Sequence, residues 1–229
     1  MALLGKAAML LWYDIVPEQI AEHDEWHTRQ HFPERVGIAG FLRAQRWVSR
    51  SPGPRYFVVY EVADIDVLSS AAYNERLNNP TAWTTTVMPH FRGMVRGFCH
   101  IESSHGTVLG ATGLAIRYAP DGGKNEDLQH WLEHTLALDL LQRRGVSSIH
   151  GLRSSRMPEM TAEQRIRGRD ASVDRALFVT GYCADAMDAL AANELSPDAL
   201  EAHGAAPGAA ISSVSLACLS MAVQMTALA

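Results

Sequence analysis

The feature that most constrains this chain is the order of its elements, which is written twice. Residues 7–16 form an apolar run that suits a buried strand. Pro17 stops the run and suits the first turn of a helix. Residues 18–36 then read as a polar, amphipathic helix, bent near Pro33 and ended by Gly37 and Gly40. Residues 41–49 alternate as a strand, Ser51-Pro52-Gly53-Pro54 is a turn, and residues 56–62 complete a hairpin rich in β-branched and aromatic side chains. Asp64 or Asp66 caps a helix over residues 67–77, Asn78-Asn79-Pro80 breaks it, and an irregular piece, 81–93, leads to a fourth strand near 95–102.

The second half repeats the order. Strands are expected at 109–118, 146–153, 176–183 and 211–223, with helices at 125–144, closed by Gly145, at 185–195 and at 197–202. The pattern is β-α-β-β-α-β in each half, the ferredoxin-like order. One such half leaves a face of its four-stranded sheet apolar and uncovered, and two halves bury those faces on each other. The expected fold class is therefore α+β: two tandem ferredoxin-like repeats, residues 1–106 and 107–229, forming a dimeric α/β-barrel within one chain. Identity between the halves is low, so the repeat lies in element order and spacing. Its clearest residue-level echo is a His-x-x-x-His pair in the first helix of each half, His27/His31 and His130/His134.

Composition narrows the function classes. The net charge of -5 is spread over both halves, which argues against nucleic acid or an anionic membrane as a partner. Cys99, Cys183 and Cys218 are far apart and fall in apolar runs, so they read as small buried hydrophobes in a reducing compartment. The N-terminal stretch lacks the pattern of a secretory signal, and no window has the apolar length of a membrane span; the expected location is the cytoplasm. No phosphate loop, Gly-x-Ser-x-Gly elbow, His-Glu-x-x-His or Cys-x-x-Cys occurs, and no cofactor is called for.

The segment from Asp24 to Phe41 carries the most chemistry. At helical spacing Ile20, Asp24, His27 and His31 share one face. A face that begins apolar and continues as carboxylate and imidazole places both groups between helix and sheet. A carboxylate beside an imidazole fixes its tautomer and raises its basicity, as a general base requires. The plainer alternative is a surface helix with solvated histidines, or buried ones bonded to backbone. Metal binding by the two His-x-x-x-His pairs needs a third ligand, for which His90, His100 and His105 qualify by type alone. In the second half, Trp131, His134, Leu138 and Leu141 form one stripe, so His134 reads as core-facing.

Trp83 and His90 lie in the irregular segment before the fourth strand, where they either shape a pocket or anchor a loop. Arg43 and Gln45 alternate with Leu42 and Ala44, giving a polar strand face that lines a cavity or meets solvent. Residues 156–174 read as a solvated hairpin extension, with a flap over a ligand as the other reading.

His31-Phe32-Pro33-Glu34-Arg35, followed by Gly40-Phe41 and the arginine-bearing strand Arg43-Ala44-Gln45-Arg46-Trp47, resembles the dimeric α/β-barrel superfamily, closest in flavour to EthD-like bacterial proteins. Residues 79–84 and 88–92 also look like such proteins. The second half lacks the Pro-Glu-Arg after His134 and resembles the fold only. The resemblance implies that any chemistry belongs to the first half, with His31 as the matching histidine, and the superfamily's range of activities leaves function open. The expectation is a cofactor-independent acid/base enzyme, of isomerase, cyclase or lyase type, acting on a small aromatic or polyketide-like compound. His31 or His27 serves as acid/base, Asp24 orients an imidazole, and Trp26, Arg43, Trp83 and His90 bind substrate. A non-catalytic ligand-binding barrel is the alternative, a haem or metal protein a third, and a homodimer is compatible with any of them.

Overall fold

The computed structural model describes residues 2–155 and 160–222. In the first repeat, β1 (Ala7–Ile15) is followed by α1 (Ile20–Trp26), a π-turn (His27–His31) and α2 (Phe32–Val36), then by the hairpin β2 (Phe41–Ser49) and β3 (Tyr56–Val62). A short 3-10 segment, Ile65–Ser69, precedes α3 (Ala71–Asn78) and α4 (Ala82–Val87), and β4 (Phe91–His105) ends the repeat. The second repeat runs β5 (Thr112–Tyr118), α5 (Asn125–His130), a π-turn (Trp131–Leu136), α6 (Ala137–Leu141) and β6 (Val146–Ser154). After α7 (Ala162–Arg167) and the two-residue β7 (Ala171–Ser172), it closes with β8 (Arg175–Gly181), α8 (Ala184–Ala192), α9 (Pro197–Ala202) and β9 (Ala210–Met221).

The sheet order β1-β3-β2-β9-β5-β8-β6-β4, with β4 also on β1, closes eight antiparallel strands into a barrel. This is the dimeric α/β-barrel fold in one chain. Closure depends on the last strand of each repeat being long. Residues 91–100 of β4 pair with β1, and residues 99–105 pair with β6. Residues 210–215 of β9 pair with β5, and residues 214–221 with β2. Each repeat thus lends its final strand to the other, leaving no free edge at either seam. The expected strand, 95–102, understates β4 at both ends, and the last residues, Ser103 to His105, carry no apolar signal.

Three apolar clusters follow from the strand alternation. Trp12, Trp47, Phe57 and Phe178 fill the barrel interior between the sheets. Trp26, Phe32, Tyr60, Phe91 and their neighbours pack the first sheet against its helices, and Leu128, Leu132, Leu136 and Leu140 do the same in the second. Fully burying one such side chain stabilises the fold by about 1.5–3 kcal/mol. Gly40 and Gly145 occupy equivalent places before β2 and β6, with φ of +92° and +97°. Both backbones need the left-handed conformation that glycine adopts without strain.

Three expectations are corrected. The cap of α3 is Ser70, whose hydroxyl accepts from the Tyr73 N–H, and neither Asp64 nor Asp66 caps a helix through its side chain. His134 is exposed: the second helix turns Leu132 and Leu136 to the core instead, and the π-turn moves His134 off that stripe. The segment between β6 and β8 is no solvated extension. Its residues 156–159 lie outside the described ones, but α7 docks on the first repeat, with Thr161, Glu163, Gln164 and Asp170 all buried. The docking is ionic and is described below.

Candidate active site

Helix α1 runs into a π-turn over His27–His31, and the wider turn keeps residues four apart nearly in line. His23, His27 and His31 therefore form a column. Ring centroids are 5.1 Å apart for the first pair and 5.4 Å for the second, at interplanar angles of 19° and 21°. All three rings are buried against the outer face of the first sheet.

Hydrogen bonds fix the upper two rings. Asp24 Oδ1 accepts from His23 Nδ1 at 3.0 Å and from the Tyr56 hydroxyl at 2.9 Å. His23 Nε2 is then the acceptor for the Tyr13 hydroxyl, 3.0 Å away. Arg46 lies 3.4 Å from His27 Nδ1 and can only donate, so a neutral His27 carries its proton on Nε2 and donates to the Tyr60 hydroxyl at 3.2 Å. His31 differs: its Nδ1 is buried and makes no hydrogen bond among the described residues. Its ring rests on Trp26, with centroids 4.3 Å apart, and Trp26 is itself held by donation from Nε1 to Thr84 Oγ1 at 3.2 Å.

Electrostatics keep the column neutral. Burial lowers the pKa of His23 despite the opposing Asp24 carboxylate. Burial and the neighbouring imidazoles and guanidiniums push His27 well below 6.5. Burial, then Arg35 and Arg167, does the same to His31. Asp24 is partly desolvated, but its hydrogen bonds from His23 and Tyr56 and the charge of Arg46 hold its carboxyl below the usual range.

His27, His31, Trp26 and Tyr60 line a cavity of about 30 Å³ together with Met9, Tyr73, Met88, Phe91, Met94 and the charged Arg35, Arg96, Glu163 and Arg167. That is room for one or two waters, so a larger ligand requires part of the wall to move. The wall contributed by the second repeat is the segment around α7. Glu163 accepts from Arg35 Nη2 at 3.0 and 2.9 Å. Asp170 accepts from Arg167 Nε at 3.1 Å and Nη2 at 2.8 Å and forms an ion pair with Arg96 Nε at 3.0 Å.

Three of the expected site residues, His27, His31 and Trp26, meet in this cavity. Asp24 stands behind it, orienting His23 rather than His27 or His31. Trp83 is half-buried outside the cavity, where its Nε1 donates to Glu22 at 2.6 Å and ties α4 to α1. His90 ends the 3-10 turn before β4 and is not among the lining residues, and its carbonyl accepts from the Val16 N–H. Arg43 is on the opposite face of the sheet, inside the barrel, where Glu61 takes hydrogen bonds from it at 2.7 and 2.9 Å and also from Gln45. Strand alternation gives the site Arg46 instead. His23, Tyr13, Tyr60 and the arginine cluster escaped the sequence reading. His23 was detectable as the residue four before His27, whereas Glu163 and Arg167 were not, because only the fold brings that segment to the first repeat. Among the described residues no group of three or more His, Cys, Asp or Glu side chains is arranged to hold a metal, and no helix is long and apolar enough to cross a membrane.

No protein-family model matches the chain, and no curated protein matches it. Solved structures do share its fold along the whole length. An anthrone oxidase-like protein superposes with a TM-score of 0.67 at 10% identity, covering 100% of this chain and 99% of that one. A proposed monooxygenase of Fusobacterium nucleatum gives 0.61 at 7% identity over 96% of each chain. A haem-binding protein of Thermus thermophilus gives 0.53 at 8% identity over 94% and 92%. At such identities the likeness is one of fold.

Proposed function

We propose that the first-repeat cavity is the active site of a cofactor-independent acid/base enzyme, with His31 as the proton acceptor and donor. The observation that carries this reading is the His31 imidazole: buried, held neutral, tilted against Trp26, lining the cavity, and with Nδ1 unpartnered among the described residues. A neutral imidazole has a lone pair for a proton, and a water-poor aromatic pocket suits a carbon acid of a small aromatic or polyketide-like ketone. The C–H bond breaks toward His31, the electron pair moves onto the ketone oxygen as an enolate, and the nearby arginines offset that charge. Return of the proton to another carbon is isomerisation; attack of the enolate carbon on a second carbonyl is cyclisation. His27 and Tyr60 act behind His31 as positioning residues. The resemblance of residues 31–35 to EthD-like proteins supports a role for this segment.

The descriptions of two proteins of the same fold, anthrone oxidase-like and monooxygenase, favour a second outcome for the same carbanion. Molecular oxygen as oxidant would convert an activated CH₂ to C=O, with one oxygen atom entering product and the other leaving as water.

Anthrone tests both readings. Under argon in deuterated buffer, wild type is expected to speed exchange at the CH₂ protons, followed by NMR, and His31→Asn to lose about 10²-fold or more of that rate while staying folded. Under air, an oxygen electrode reads the oxidative outcome. Equal exchange by wild type and His31→Asn would remove His31 from the mechanism. Binding without exchange or oxygen uptake would favour the non-catalytic ligand-binding reading.

A further inference from the structure

Among the described residues the cavity holds more cationic hydrogen-bonding capacity than its acids use. Arg35, Arg96 and Arg167 face two carboxylates, Glu163 and Asp170. Glu163 places both oxygens on one nitrogen, Arg35 Nη2, and Arg35 Nη1 has no partner among the described residues. Asp170 is gripped across the fork of Arg167 and by Gln164, so Arg96, although ion-paired at 3.0 Å, has neither Nε nor Nη2 in a hydrogen bond among the described residues. Arg35 and Arg96 are 2% and 3% exposed. Buried guanidinium N–H groups with no acceptor are costly, and a surplus positive charge out of water is more so. A bound anion relieves both.

We infer that this site takes an aromatic carboxylate, its carboxylate between Arg35 and Arg96 and its ring against Trp26 and His31. A carboxylate offers about four lone-pair directions, a match for the unused donors of two guanidiniums. The aromatic half is asked for by the wall of Trp26, Tyr60, Phe91 and Met94. Glu163 is the internal rival for Arg35. Binding shifts Arg35 from Glu163 to the ligand, which loosens α7 and opens the room that the 30 Å³ cavity lacks. The inference rests on the site proposed above but not on its chemistry.

The test is calorimetric titration with 1-hydroxy-2-naphthoate and, as neutral isostere, 1-hydroxy-2-naphthamide. The acid is expected to bind roughly tenfold or more tightly than the amide. Arg96→Gln should erase that preference, and Glu163→Gln, which removes the rival charge but keeps the shape, should tighten the acid alone. Equal affinities, an amide preference, or no binding of the acid at millimolar concentration overturns the inference. So does an unchanged preference in folded Glu163→Gln, which decides the matter should Arg96→Gln not fold. An intact acid preference in a protein that catalyses no proton exchange would sink only the catalytic proposal.

Discussion

Arg35 in the first repeat and Glu163 in the second are joined by two hydrogen bonds of 3.0 and 2.9 Å, both from a single guanidinium nitrogen and both buried. The pair is the main ionic tie between the histidine-bearing helix and the segment that roofs it.

Removing one member of a buried ion pair strands the other. Arg35→Ala is expected to destabilise the protein by about 3–5 kcal/mol, whereas Arg35→Met combined with Glu163→Met should recover most of that loss. Urea denaturation of the two single variants and the double variant gives the coupling directly. Additive losses would show that the pair contributes little.

The buried histidines should make the fold acid-sensitive. His23, His27, His31 and His150 all have folded pKa values below 6.5, His150 at about 3, with burial the first cause in each. The unfolded chain therefore binds more protons between each folded value and 6.5. Stability is full above about 6.5 and falls as the pH drops below it, by up to about 1.4 kcal/mol per pH unit for each histidine. Urea midpoints at pH 7.5 and 5.5 check the slope, which His150→Asn should reduce.

The same depression sets the pH profile of any activity that uses His31 as base. The acid limb of kcat/KM should lie below 6.5, because His31 stays neutral into the acid range. An acid limb above 6.5 would point to a different base.

Trp83→Phe is the matching control. It removes an exposed hydrogen bond to Glu22, and Trp83 is not among the residues that line the cavity. It should cost no more than about 1 kcal/mol and leave proton exchange as in wild type. A large loss of exchange would return Trp83 to the site.

What was legible in the chain follows from what is local. Residues 41–49 and 56–62 carry their own strand signals, and the structure has β2 and β3 over those same residues. The histidine face was visible because helical spacing is a property of neighbours. Two things were not. Whether β2 offers Arg43 or Arg46 to the site is a question of strand parity, and both faces of β2 carry an arginine, one paired with Glu61 inside the barrel and one beside His27 outside it. The roof was hidden for a different reason: the polar composition of residues 161–170 looks like a solvated loop until its acids are matched with Arg35 and Arg96, far away in sequence.

The two π-turns occupy the same station in the two repeats, yet one directs its histidines inward and the other directs His130 and His134 to the surface. A symmetric pair of such subunits would saturate at two equivalents of ligand. Among the described residues this chain presents two matching backbones but one histidine-lined chamber, to which the second repeat supplies a wall. On the site proposed above, its saturation endpoint is one equivalent per chain.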